Sequence, residues 1–373
     1  MKQLDECYAV LADPYGYAKT LKATSGKKII GTLCSYAPEE IIVAAGAHPL
    51  RLFGSGRKIQ LAEAHLQSYC CSLVRGVLED ALAEDLSFLD GAVFPHTCDS
   101  IQRLSDLWRL NVGYGFHLDA VLPVKLQTES ARDYLIDVLG RFREDLGKKL
   151  GKKISDDDLK AAIALYNMIR RALARIHGLA VDRPGILKGG DLHALTRAAM
   201  VMERARLADL LEEVVAEMEG MPERAGGTQG KRIILSGGLC THPDIYSLIE
   251  EAGGVVVGDD LCTGSRYFTG FIDQKGEPIA ALAERLRQRV VCPAKHAGLT
   301  NRADNLLGLV REKKARGVVF FLLKFCDPHA FDVPYLKAAL DREGIPSIAI
   351  EVEDRLPADG QLRTRFEAFV EMI

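Results

Sequence analysis

The stretch from Lys27 to Phe53, KKIIGTLCSYAPEEIIVAAGAHPLRLF, decides the reading of the fold. Lys28 to Leu33 is an apolar run of the length of a buried strand, and Cys34 follows it at once. Pro38-Glu39-Glu40 then opens a helical pattern through Ile41, Ile42 and Ala45. Proline and acids in the first turn are what a helix start prefers. Gly46 stops it, and His48 to Phe53 reads as the next strand. Strand, helix and strand at this spacing mean a parallel sheet.

Working outward, the same logic recurs. Phe88 to Pro95 reads as a strand that ends in His96-Thr97-Cys98, with a helix running on through Ile101, Leu104 and Leu107. A further strand is expected after Tyr114. Ser130 to Leu150, Ser155 to Leu179 and Leu187 to Met221 show apolar spacing near the helical period, the last with one or two breaks, and glycine-rich Pro222 to Gly230 reads as a linker. Lys231 to Ser236, Val255 to Val257, Val318 to Leu323 and Ser347 to Glu351 read as strands. Helices are expected over Pro243 to Ala252, Ile279 to Gln288, Pro334 to Glu343 and Gln361 to Ile373. The reading is α/β: two Rossmann-like parallel-sheet domains, 1–125 and 231–373, joined by a helical segment and linker over 126–230.

Composition sets the outer limits. The chain has 373 residues, 48% hydrophobic and 27% charged, with a net charge of −3, which leaves no footprint for nucleic acid. No apolar run approaches the roughly 20 residues of a membrane helix, and Met1 to Thr20 lacks the apolar core of a secretory signal, so a cytoplasmic location is expected.

Nine cysteines is a high count for such a chain, and the number is odd. A disulfide framework does not suit a reducing compartment, and no Cys-x-x-Cys occurs. Cys34, Cys98, Cys240, Cys262 and Cys326 each fall just after the carboxyl end of an expected strand, and Cys71 opens the helix Ser72 to Leu82. Open parallel sheets form their sites there, and helix N-termini favour thiolate. A single buried cysteine is most often a small hydrophobe. As a set, these fit a soft metal site, and thiolates from scattered loops suit an iron–sulfur cluster in the inter-domain crevice better than zinc. Cys7 and Cys292 read as bystanders and Cys70 as ambiguous. His96, His242 and His329 read as supporting hydrogen bonders or loop residues. The helix dipole accounts for Glu39 and Glu40, although their nearness to Cys34 suits proton transfer, and solvation accounts for Arg363 and Arg365. No Walker-type loop occurs, so any ATP step belongs to another protein.

At these residues the sequence resembles the 2-hydroxyacyl-CoA dehydratase and benzoyl-CoA reductase family, including the related double-cubane cluster proteins. The matching stretches are Gly31 to Gly54, YCCSLVRGVLEDAL (Tyr69 to Leu82), FLDGAVFPHTCDSIQRLSDLW (Phe88 to Trp108), SGGLCTHP (Ser236 to Pro243), DDLCTGSRYF (Asp259 to Phe268), KFCDPHAFDVPYLK (Lys324 to Lys337) and the tail from Glu351. The resemblance implies two Rossmann-like lobes and a [4Fe–4S] cluster on Cys71, Cys98 and Cys326, with one iron open. It implies ketyl-radical dehydration or ring reduction of an acyl-CoA thioester. The electron would come from an ATP-hydrolysing iron–sulfur activator, and a homologous second subunit or a homodimer is implied. Cys34 stands as a fourth candidate ligand and Cys240 as a weaker one. With Cys70 and Cys262 they leave open the double-cubane alternative, an [8Fe–9S] cluster on roughly six cysteines that reduces small molecules.

Overall fold

The computed structural model describes residues 1–183, 185–222, 230–242, 244–289, 292–353, 356 and 359–373. Strands β1 (Ile29–Thr32), β2 (His48–Arg51), β3 (Gly91–Phe94) and β4 (Phe116–Asp119) form one sheet in the order β2-β1-β3-β4. Strands β5 (Lys231–Gly237), β6 (Gly254–Asp260), β7 (Gly317–Leu323) and β8 (Ser347–Val352) form a second in the order β6-β5-β7-β8. Every pairing in both is parallel. The fold is α/β with two Rossmann-like units. Both sheets reverse direction of growth beside their first strand, between β1 and β3 and between β5 and β7, and such reversals open a crevice at the carboxyl ends.

The helices of the first part are α1 (Lys2–Ala12), α2 (Pro14–Ser25), α3 (Glu39–Ala44), α4 (Ser72–Leu82) and α5 (Asp99–Asn111). Then come α6 (Glu129–Leu150), α7 (Asp156–Asp182), α8 (Gly189–Ala198) and α9 (Arg204–Gly220). The last part adds α10 (Asp244–Glu251), α11 (Ser265–Phe268), α12 (Pro278–Gln288), α13 (Asn301–Glu312), α14 (Asp327–Arg342) and α15 (Asp359–Met372). Consecutive strand residues feed opposite faces. Ile29, Ala92 and Phe94 enter one apolar core while Ile30 and Val93 enter another, and Ile233, Leu235, Val319 and Phe321 part likewise from Ile234, Val318 and Phe320. Helices cover both faces, which is why these strands read as continuous apolar runs.

Several elements differ from the sequence expectation. Helices α1, α2 and α13 go beyond it; for α2 the signal is present, because Asp13 accepts from the Gly16 N–H at 2.9 Å and Pro14 takes the first turn. Helix α14 begins at Asp327, not at Pro334, which the helix accommodates in its interior. The expected strand over 88–95 is confined to Gly91–Phe94 because the chain turns at Leu89 and Asp90. Residues 223–229 of the linker expected over Pro222 to Gly230, and the expected helix start at Pro243, lie outside the described residues. No described helix is long and apolar enough to cross a membrane.

Candidate metal centre

Three cysteines occupy one structural position. Cys71 is the N-cap of α4, Cys98 of α5 and Cys326 of α14, and none of the three side chains caps its own helix. A thiol is a poor cap acceptor, so serine or aspartate would serve a purely structural start better. Cys98 follows β3 and Cys326 follows β7, the strands that flank the two reversals. The loops that present them are bent: His96 has φ 44° and Phe325 φ 63°, left-handed values that non-glycine residues seldom adopt. Cys34 leaves β1 in a turn closed by Ala37 N–H donating to the Cys34 carbonyl at 2.9 Å.

The thiols meet. Burial pushes Cys71 up to about 11, partly offset by backbone N–H groups of Val74 and Leu73. Burial likewise pushes Cys98 up to about 12; the N–H of Ile101 pulls down, and negative charge on Cys71 and Cys34 adds to the rise. Cys326 is raised by burial and then by Cys71, with Cys98 and Cys262 contributing. Cysteines from the first sheet therefore lie within electrostatic reach of those from the second. Left metal-free, such a group holds its protons; a soft cation replaces them.

A second group sits beside the first. The ligand atoms of Cys262, Cys292 and His329 all lie within 4.8 Å of one another. Cys262 is held well below the usual thiol range, first because the Cys292 thiol donates to it, with Arg266 and His329 adding; Cys292 is correspondingly raised. Cys292, expected to stand apart, thus lies with Cys262 and His329. Its position hides it in the sequence, because it follows helix α12, not a strand end. His329 lies one turn beyond Cys326, where its N–H donates to the Cys326 carbonyl at 3.0 Å, and its ring turns to the thiols.

The remaining cysteines part company. Cys240 is buried, its thiol 3.6 Å from the His242 carbonyl and pushed up to about 12 by burial, and it packs with Tyr246 and Leu261. Cys7 is wholly buried at α1 and raised to about 12 by burial. Cys70 is raised, by burial first, and its thiol lies 3.9 Å from Gln67 Oε1. His96 Nε2 lies 2.8 Å from Asp119 Oδ1, which accepts from it, and the His242 ring stands edge-on to Phe321.

Buried cations wall the thiols. Arg289, 4% exposed, lies 4.6 Å over the Tyr36 ring and donates to Ser35 O at 2.8 Å and to Arg266 O at 2.6 Å. Lys295, 4% exposed, donates to Leu122 O at 3.1 Å. Burial lowers its pKa while Cys34, Cys292 and Cys98 oppose the fall. Neither has an acidic partner within ion-pair distance among the described residues. Arg266 is tied to Asp260 at 3.2 Å, and Asp260 in turn to Arg302 at 2.8 Å. A buried cation without a carboxylate favours another anion nearby, and thiols that lose their protons would supply it.

Glu39 and Glu40 are not free acids of a helix start. Glu39 accepts from Tyr166 and Tyr267, both at 2.9 Å, and from Arg204 at 3.2 Å; Glu40 pairs with Arg170. Arg363 pairs with Glu251 on the surface and Arg365 donates to Ala349 O at 2.7 Å.

With this geometry in hand, comparison with known proteins defines the class. Residues 34–373 match the family described as 2-hydroxyglutaryl-CoA dehydratase, D-component, and the chain belongs to that family. It is similar to the (R)-phenyllactyl-CoA dehydratase beta subunit of Clostridium sporogenes, 27% identical over 98% of this chain and 96% of that one. It is also similar to a benzoyl-CoA reductase subunit of Thauera aromatica, 28% identical over 94% and 92%. A third relative is the (R)-2-hydroxyglutaryl-CoA dehydratase beta subunit of Acidaminococcus fermentans, 27% identical over 99% and 98%. The protein is accordingly a subunit of 2-hydroxyacyl-CoA dehydratase or benzoyl-CoA reductase type.

Proposed function

We propose that the chain is the iron–sulfur subunit of an enzyme doing low-potential one-electron chemistry on an acyl-CoA thioester, with Cys71, Cys98 and Cys326 as cluster ligands and Cys34 beside them. The observation that carries the reading is the placement of three cysteines at helix N-caps, within electrostatic reach of one another across the two sheets. A [4Fe–4S] cluster on three thiolates would supply a one-electron relay and a Lewis-acid iron at its open corner. The chain's own residues do the rest. Helix N-termini of α4, α5 and α14 and the N–H groups of Val74 and Ile101 favour negative charge at the thiolates. Arg289, Lys295 and Arg266 offset that charge in a dry setting, which eases electron entry. We place the protein in the cytoplasm, with a second subunit of similar fold or a second copy of itself. An ATP-hydrolysing iron–sulfur activator would supply the electron, since the sequence carries no Walker-type loop.

The Cys262, Cys292 and His329 group favours a second reading. Six thiols, Cys34, Cys71, Cys98, Cys262, Cys292 and Cys326, suit two joined cubanes and small-molecule reduction. Iron and acid-labile sulfide, measured on protein purified without oxygen, separate the two: about four irons per chain for one cubane, about eight for two. Cys98→Ser is expected to abolish iron binding and leave the apo fold mostly intact; unchanged iron would end the assignment. Cys34→Ser is expected to halve the iron only where two cubanes are present.

A further inference from the structure

A cavity of about 260 Å³ lies between helices α7 and α8 and the outer edge of β6; no cysteine is among its lining residues. Strand β6 pairs with β5 alone, so the outward backbone N–H and C=O groups of Val255 to Gly258 lack a ladder partner where they line this space. Across from them stands His193, 4% exposed, with neither ring nitrogen hydrogen-bonded to any described residue. A buried imidazole left wholly unpaired is costly, and native structures resolve such groups with a water or a ligand.

The charged groups on the wall are already matched. Lys313 pairs with Glu312 at 2.8 Å, and Glu250 accepts from the Gly189 N–H at 2.8 Å. Asp259 accepts from the N–H groups of Leu261 and Ser265, and burial raises its carboxyl to about 6. His177 bonds Thr196 at 3.1 Å. Both histidines sit well below the ordinary imidazole range, by burial first and then by Lys313 for His177 and by Arg197, His242 and His177 for His193. An ion entering here would find no unmatched countercharge. Rings are plentiful: His193 lies 5.2 Å from Tyr246, and His177 4.8 Å from Phe268. Valines 255 to 257, Leu187 and Leu192 supply apolar contact.

We propose that this cavity is a ligand site for a small, neutral, planar molecule that both donates and accepts hydrogen bonds, an aromatic carboxamide or lactam-type heterocycle. Its polar edge would be read by His193 and the free edge of β6, and its ring by the His193–Tyr246 and His177–Phe268 pairs. A neutral imidazole offers one donor and one acceptor, as does each exposed residue of a strand edge, so a carboxamide complements both.

The test uses the full chain, purified without oxygen, and three matched probes by isothermal titration: benzamide, benzoate and cyclohexanecarboxamide. Benzamide is expected to bind, with benzoate and cyclohexanecarboxamide at least about tenfold weaker, the scale of one buried hydrogen bond or ring contact. Gly178 lines the cavity inside α7, and a Cβ added there meets nothing within 4 Å. Gly178→Leu is therefore expected to fill the space, keep the thermal midpoint and iron content of the wild type, and remove benzamide binding. His193→Phe is expected to weaken binding at least about tenfold and gives a second route should Gly178→Leu fold poorly. No heat with benzamide would mean a solvent-filled cavity only and would overturn the proposal. So would benzoate binding as tightly as benzamide, or benzamide binding that survives both substitutions.

Discussion

At Gly237 the backbone takes φ 151°, and a Cβ placed there would sit 1.9 Å from the Phe321 carbonyl oxygen. The residue ends β5 where it runs beside β7, and Arg266 donates to its carbonyl. Gly237→Ala is expected to push these strands apart and to cost about 3 kcal/mol or more, read as a lowered urea midpoint. The sequence displays the glycine pair Gly237-Gly238 but not its reason, since close approach to a partner 84 positions away cannot be seen in local spacing. The same limit hides Cys292. Strand-end cysteines are legible because strand ends are; a cysteine in an irregular loop is recognised only when its neighbours in space are known.

Among the elements, α3 shows how a short helix is held. Its six residues cannot stand on helix propensity. It is fixed by ion pairs to the long helices behind it, Glu40 to Arg170 on α7 and Glu39 to Arg204 on α9. Arg170 and Arg285 hold the Glu40 carboxyl below its usual range despite its burial. Glu40→Leu would leave those two guanidinium groups in a dry site without their carboxylate. The expected loss is about 3–5 kcal/mol, measured by denaturant unfolding, with Glu40→Leu/Arg170→Leu losing less than the single change. The helix itself is plain in the sequence from Pro38 and its acids. Its partners are not, because a first-turn glutamate looks the same whether it meets solvent or arginine.

Taken whole, the molecule carries histidines that must stay neutral to fold. Burial lowers His48 from its ordinary 6.5 to about 3, with Arg204 adding, and burial and then Arg197 do the same for His193. A depressed folded pKa means that this stability is complete above pH 6.5 and is lost as pH falls toward 3. At pH 5 each group is expected to cost about 2 kcal/mol relative to pH 7.5. Urea midpoints at the two pH values check this, and His48→Gln is expected to lessen the acid loss by about that amount. The alternation of strands and helices makes the two parallel sheets legible from one end of the chain to the other. Their common strand order comes only with the structure.

The Glu39 carboxylate gathers Tyr166 from α7, Arg204 from α9 and Tyr267 from the α11 segment that follows β6. One side chain thus rivets the first sheet's layer, the helical middle and the second sheet's layer together, and Tyr267 adds a further bond to Ala199 O at 3.0 Å. The two halves are therefore cross-braced at one carboxylate, and parting them would break all of these bonds together.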